Sequence, residues 1–175
     1  MKQNKELLKK INQGDSDAFE QVYDLYIKKI YRYIYYKINS HTQTEDLTSE
    51  VFCRSWQYIS QGKKIDNLNA FIYKIAHNLV VDFYAQKEKT PIELNQELKE
   101  SIPEKKDFTE KISINFEIEE IKKVIKQLPP SYQEVIALRY LDELSISEIS
   151  KALNKSKNSI YVLIHRSLKA LKNII

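Results

Sequence analysis

Apolar residues recur every three to four positions through most of the chain, a period that predicts helices rather than strands. Leu7, Leu8 and Ile11 mark a short amphipathic helix over Lys5–Gln13, which Gly14-Asp15 ends. Asp15 or Ser16 can cap the next helix. From about Asp17 to Ile38 the period holds through Ala18, Phe19, Val22, Tyr23, Tyr26, Ile30, Tyr33, Ile34 and Ile38, an aromatic stripe read as core. After a turn at Asn39–Gln43, Thr42 and Glu45 predict a capping box for a third helix reaching Ile59, with Leu47, Val51, Phe52, Ser55 and Trp56 inward. A polar loop, Ser60–Asn67, leads to a fourth helix over Leu68–Lys87, with Phe71, Ile72, Ile75, Leu79, Val80 and Phe83 inward. Tyr73, Lys74, His77, Asn78, Asp82, Tyr84 and Gln86 fall elsewhere around it.

The pattern weakens between Glu88 and Ser113, where Pro91, Pro103 and mixed charge predict a linker. Residues 91–117, fully extended, would reach about 90 Å at about 3.3 Å each, so the two halves of the chain need not touch. Periodicity resumes from Ile114 until Pro129-Pro130 stops it. Ser131 is placed to cap a helix over Tyr132–Leu141. Ser145 and Glu148 then have capping-box spacing, with Ile146, Ile149 and Leu153 on one face. Asn154-Lys155 breaks this helix. Ser156 can cap a last one, in which Ile160, Leu163, Ile164, Leu168 and Leu171 recur. Two short helices across a tight break read as helix-turn-helix. When such a unit binds DNA, the N-terminal residues of its second helix meet base edges in the major groove. Lys157, Asn158, Tyr161, His165, Arg166 and Lys169 are the outward candidates.

Composition sharpens the fold class. With 2 glycines and 4 prolines in 175 residues, the chain lacks the turns of a sheet-rich protein, so an all-α fold is expected, as one large domain or two small ones. The net charge of +4 is unevenly spread. Residues 1–90 carry 14 basic and 11 acidic side chains, residues 91–117 carry 4 and 7, and residues 118–175 carry 10 and 6. Two basic ends around an acidic middle suit two nucleic-acid-facing domains. No apolar run nears the ~20 residues of a membrane span, and the start of the chain lacks the apolar stretch of a signal peptide. A cytoplasmic protein with no direct membrane insertion is expected. The single cysteine, Cys53, cannot form an internal disulfide and is expected to serve as a small apolar residue. Asp46 and Glu50 share a helix face, but no histidine stands at partner spacing. His41, His77 and His165 are scattered, and no phosphate loop or nucleophile–base set appears. Neither catalytic residues, a metal, a cofactor nor a small-molecule substrate is expected.

Five stretches, in order, resemble extracytoplasmic-function (ECF) sigma factors. Gly14-Asp15-x-x-Ala18-Phe19 with Tyr23 and Tyr26 resembles the opening of sigma region two. Thr44-Glu45-Asp46-Leu47-Thr48-Ser49-Glu50-Val51-Phe52 with Trp56 is similar to that region's polymerase-binding helix, A-E-D-L-T-Q-E-V-F. Phe71-Ile72-Tyr73-Lys74-Ile75-Ala76-His77-Asn78 with Asp82 resembles the W-L-Y-R-I-A-R-N segment that opens and reads the minus-10 promoter element. Leu128-Pro129-Pro130 through Val135 resembles the start of region four, and Ile149 through Arg166 its helix-turn-helix. In the last helix Tyr161-Val162-Leu163 stands where the family has K-S-R.

The resemblance implies a subunit that directs transcription initiation with bacterial core RNA polymerase and promoter DNA, under an anti-sigma factor. It implies domains at 1–90 and 114–175 joined by a linker at 91–113 that runs along the RNA exit channel. Asp46, Leu47, Thr48, Glu50, Val51 and Arg54 would meet the polymerase. Lys63, Lys64, Asn67, Tyr73, Lys74, His77, Asn78, Asp82, Gln86 and Lys87 would meet minus-10 DNA. Lys155, Ser156, Lys157, Asn158, Ser159, Tyr161, His165, Arg166 and Lys169 would meet the minus-35 element. Two rivals fit parts of the sequence: a one-component helix-turn-helix regulator, and a sigma-like adaptor with reduced promoter reading. The first would bind DNA without polymerase. The second is favoured by the basic residues lost at Tyr161-Val162-Leu163.

Overall fold

The computed structural model describes residues 2–89, 125 and 127–174, and among these the chain is all-α with no strand. The expected linker at 91–113 and nearly all of the helix expected from Ile114 lie outside the described residues.

Four helices form the N-terminal half. Helix α1 (Lys2–Ile11) turns through Gly14, whose φ of 78° would strain a residue with a Cβ. Asp15 caps α2 (Ser16–Ile38) by accepting from the Ala18 N–H at 3.0 Å. Helix α2 ends at Asn39, left-handed at φ 55°. Helix α3 (His41–Ser60) begins with Ser40 in the cap position. The capping box expected at Thr42–Glu45 is not formed, because both residues already lie within the helix. Thr44 instead donates back to the Ser40 carbonyl at 2.7 Å. The loop that follows is pinned to α1 reciprocally. Asn12 donates to the Ile65 carbonyl at 2.9 Å, and the Ile65 N–H donates to the Asn12 side chain at 2.8 Å. Asn67 then accepts from the Ala70 N–H at 2.8 Å at the start of α4 (Leu68–Lys89).

The C-terminal half is shorter-stepped. Pro130, not a residue after Ser131, opens α5 (Pro130–Ile136), where a missing N–H costs nothing in the first helical turn. A π-helical turn follows over Ala137–Leu141, its wider ring closed by the Asp142 N–H on the Ala137 carbonyl at 3.0 Å. Helix α6 (Ile146–Ala152) has the expected capping box. Ser145 Oγ accepts from the Glu148 N–H at 3.3 Å, and Glu148 Oε2 accepts from the Ser145 N–H at 2.7 Å. Asn154, at φ 52°, makes the tight turn, and Ser156 caps α7 (Lys157–Lys172) by accepting from the Ser159 N–H at 3.1 Å.

The two halves touch, although the linker gave no reason to expect it. Helix α4 packs along α6, and one apolar cluster runs from Ile11, Ile30, Ile34 and Val51 through Ile72, Tyr73 and Ala76 to Val135, Leu138, Leu144 and Ile149. Tyr73, expected on the outer side of α4, is 1% exposed and meets Tyr33 edge-on with ring centres 5.5 Å apart. Cys53, expected to serve as a small apolar residue, is exposed on α3. Replacing the fully buried Ile34 of α2 with Ala removes packing that the helices cannot refill. We expect Ile34→Ala to lower stability by about 3 kcal/mol, measured as a lower urea midpoint at unchanged slope.

Candidate polymerase and nucleic-acid interfaces

Helix α3 has an acidic outer face. Asp46 is exposed, Leu47 and Glu50 are half-buried, and exposed Arg54 donates to Glu50 Oε1 at 2.6 Å, one turn away. Thr48 and Val51, expected to meet polymerase, are in the core. With Thr44, Phe52, Ser55 and Ile59 they form the inner stripe that seats α3, so they carry the face rather than belong to it. Beside that face lies a shallow apolar hollow lined by Ser16, Phe19, Phe52, Cys53 and Trp56, in which the Phe19 and Trp56 rings meet at a tilt of 46° with centres 5.0 Å apart.

Helix α4 exposes Lys74, Asn78 and Asp82, spaced by four residues and so on one stripe. Lys63 and Lys64 are exposed on the preceding loop, and Gln86 and Lys87 near the far end of the helix. Tyr73 is removed from this set by its burial. Asn67 and His77 are half-buried and engaged elsewhere, as described below. On α7, Ile160, Ile164 and Ser167 face the core. Lys157, Asn158, Ser159, Tyr161, His165, Arg166 and Lys169 are exposed, as are Lys155 and Ser156 in the turn. Val162 is also exposed, amid the outward residues. All the residues expected to meet the minus-35 element therefore share the free side of one capped helix and its turn.

The polar geometry between the halves has one consistent sense. Among the described residues, acids of the C-terminal half meet donors of the N-terminal half. A single oxygen, Glu134 Oε1, faces the Tyr33 hydroxyl at 2.6 Å, the Lys37 ammonium at 2.9 Å and His77 Nδ1 at 3.1 Å. Burial alone would raise the Glu134 pKa. The His77 hydrogen bond, the Lys37 charge and the Tyr33 hydroxyl outweigh it and bring the carboxyl down to about 2. Asp142, its side chain 3% exposed, pairs with the Arg32 guanidinium. Burial, with the Asp142 carboxylate nearby, pushes the Tyr73 hydroxyl far up. Glu148, besides capping α6, accepts at Oε1 from Asn69 at 2.9 Å and Asn67 at 3.0 Å. Burial works against its charge, but the Ser145 and asparagine hydrogen bonds prevail and lower its pKa. Asn69 also accepts from the Tyr26 hydroxyl, which burial and then Glu148 push up to about 12.

Arg32, Lys37 and Asn69 belong to no stretch that the motifs single out. They are polar positions in amphipathic helices, and nothing local in the sequence distinguishes them from ordinary solvated residues.

Together these elements make an all-helical chain with an acidic face on α3, a polar-basic stripe on α4 and a helix-turn-helix at its C-terminal end. Residues 22–90 match the family model for sigma-70 region 2, and residues 118–171 match that for sigma-70, region 4. The ECF RNA polymerase sigma factor SigW of Bacillus subtilis (strain 168) is 30% identical over 177 residues, covering 96% of this chain and 94% of SigW. The ECF RNA polymerase sigma factor BldN of Streptomyces coelicolor is 28% identical over 174 residues, covering 97% of this chain and 65% of BldN's length. Among solved structures, CnrH in complex with the cytosolic domain of CnrY has the same fold, with a TM-score of 0.68 at 16% identity, covering 98% of this chain and 96% of that one. The chain belongs to the ECF RNA polymerase sigma factors.

The depressed Glu134 pKa carries a linkage. The carboxyl lies at about 2 in the folded chain against 4.5 ordinarily, a difference worth roughly 3 kcal/mol at neutral pH. Because the folded value is the lower one, this stabilisation is full above 4.5 and fades as pH falls toward 2. Wild type should therefore exceed Glu134→Gln in unfolding free energy at pH 7, and the gap should narrow below pH 4.5. Urea titrations of both proteins at pH 7, 4 and 3 measure it.

Proposed function

We propose that this chain is the promoter-specificity subunit of a bacterial RNA polymerase, directing initiation from promoters whose minus-10 and minus-35 elements its two halves read. The observation that carries this reading is the pairing, in family order, of an exposed acidic face on α3 and a polar stripe on α4 with a helix-turn-helix whose free side is basic and polar. SigW, similar over nearly its whole length, supports it.

In this reading Asp46 and Glu50 meet basic groups of the polymerase, and the apolar hollow at Phe19, Phe52 and Trp56 receives an apolar side chain beside them. Lys63, Lys64, Lys74, Asn78 and Gln86 hold the minus-10 strand. Lysine neutralises phosphate, and amides pair with base edges. Unstacking a base costs a few kcal/mol, offset by contacts in the protein, so strands open without a chemical step. In this reading the chain itself makes and breaks no covalent bond, and it acts with polymerase in the cytoplasm as its sigma factor relatives imply. Among its described residues no helix is long and apolar enough to cross a membrane, and no group of His, Cys, Asp and Glu could hold a metal ion. At the minus-35 element Asn158, His165, Arg166 and Lys169 surround an apolar centre, Tyr161-Val162, so positioning there rests on few cations. An anti-sigma partner belongs to this reading. A solved structure of similar fold, RpoE of Bartonella quintana, holds the anti-sigma factor NepR, at 18% identity and a TM-score of 0.60.

The test is reconstitution with bacterial core polymerase and run-off transcription from a candidate promoter. Binding to core and a promoter-dependent transcript are expected, and failure of both ends this reading. In the same assay Asn78→Ala should reduce promoter opening about tenfold. Arg166→Ala should weaken binding across promoter sequences and lower the salt slope of holoenzyme binding by about 1.

A further inference from the structure

The donors that hold Glu134, Asp142 and Glu148 need another role when the two halves part. Arg32 and Lys37 come from the second half of α2, and Asn69 and His77 from the first turns of α4, with Asn67 just before it. Asn69 and His77 are eight residues apart, about 12 Å along the helix, a span of a few nucleotides. The N-terminal half offers donors along this row, and in the closed chain carboxylate oxygens occupy them at 2.9–3.1 Å at Asn67, Asn69, Lys37 and His77. A row of guanidinium, ammonium, imidazole and amide groups that accepts oxyanions at hydrogen-bond distance is chemically a phosphate track. Its helix, α4, also carries the exposed Lys74–Asn78 stripe one face away.

We propose that Arg32, Lys37, Asn67, Asn69 and His77 form a binding track for the phosphates of single-stranded DNA, which Glu134, Asp142 and Glu148 cover as stand-ins for phosphate. The inference rests on the function proposed above and adds the regulation of its minus-10 site. The three acids and the DNA strand compete for the same donors, so the closed chain is a poor DNA binder. Separation of the halves uncovers a track that extends the α4 stripe onto α2. Apolar packing between α4 and α6 holds the closed form together, and the carboxylates set its register on the track. Both halves belong to one chain, so the acids stay at high local concentration and closure competes with DNA without a second molecule.

The full-length chain provides the test. Glu134→Gln/Glu148→Gln removes two of the covering charges and keeps the α6 capping box, because Gln serves in that position. Affinity is read by anisotropy of a fluorescent, mixed-sequence, twelve-nucleotide single-stranded DNA without polymerase. The double variant should bind at least tenfold tighter than wild type. Adding Arg32→Ala/Lys37→Ala should cancel the gain and make the salt slope shallower by about 1.4, two phosphates at about 0.7 each. Unchanged affinity in the double variant overturns the proposal, and so does a gain that survives loss of Arg32 and Lys37. Should the double variant lose its helical circular dichroism, wild type still decides. With one dye on Cys53 and another on Lys172→Cys, saturating oligonucleotide should lower energy transfer, and unchanged transfer overturns the proposal. Run-off transcription with core polymerase separates the two conclusions. A wild-type chain that initiates while the oligonucleotide arms fail removes only this inference. A wild-type chain that does not initiate removes the function beneath it.

Discussion

A single carboxylate oxygen with three donors around it determines how the two halves of this chain meet. Glu134 Oε1 collects a phenol, an ammonium and an imidazole, all from the other half of the sequence. A buried carboxylate is costly unless paired and hydrogen-bonded. Its position is therefore sharply specified: a displacement of a few ångströms strands the charge. The apolar surfaces of α4 and α6 would tolerate sliding, since hydrophobic contact is non-directional. The acid is not tolerant in that way, and with Arg32–Asp142 and the Glu148–asparagine bonds it selects one register from the many that apolar burial would allow.

That constraint gives the tyrosine-rich α2 two separate duties. Val22, Ile30 and Ile34 build the core of the N-terminal half. Tyr26 and Tyr33 place their rings among them and send their hydroxyls toward the junction, to Asn69 and Glu134. Tyrosine suits this because it is apolar along its body and polar at its tip. The same helix thus reaches both the oily interior and the polar boundary, with Arg32 and Lys37 completing the boundary. The outer faces of α3, α4 and α7 keep their exposed polar groups, so the junction leaves the acidic face and the helix-turn-helix face open to solvent.

Much of the fold was legible because its signals are local. The Ser145–Glu148 box, the Ser156 cap and the long period of α2 depend on residues within a few positions of one another, and each appears in the structure. Thr42–Glu45 has the same spacing but forms no box, because α3 starts earlier and a box needs its first residue outside the helix. The helix faces were less legible. Thr48 and Val51 sit in a stretch similar to a polymerase-binding motif, yet helical spacing with Phe52 and Ser55 turns them inward. Tyr73 could have faced either way by period alone, and its burial depends on Tyr33 and on a second half of the chain more than 50 residues later. The junction itself was not legible at all. Glu134 and its partners are isolated polar residues in amphipathic helices, and only the fold brings them within hydrogen-bond distance.

The wide turn at Ala137–Leu141 has a consequence for comparing this chain with its relatives. An α-helix advances about 100° per residue, and the wide ring accommodates one residue beyond a regular turn. Without it, the chain would arrive at Asp142 rotated by about 100° about the helix axis. The acid that now pairs with Arg32 would point along the surface, and Leu144 would leave the core it fills. A relative that runs regular α-helix through this segment is therefore one residue out of step with it. Matching the two letter by letter would set Asp142 against a residue of different orientation. Sequences here are properly aligned by the direction of their side chains, with a single gap placed inside the helix rather than in the loop that follows.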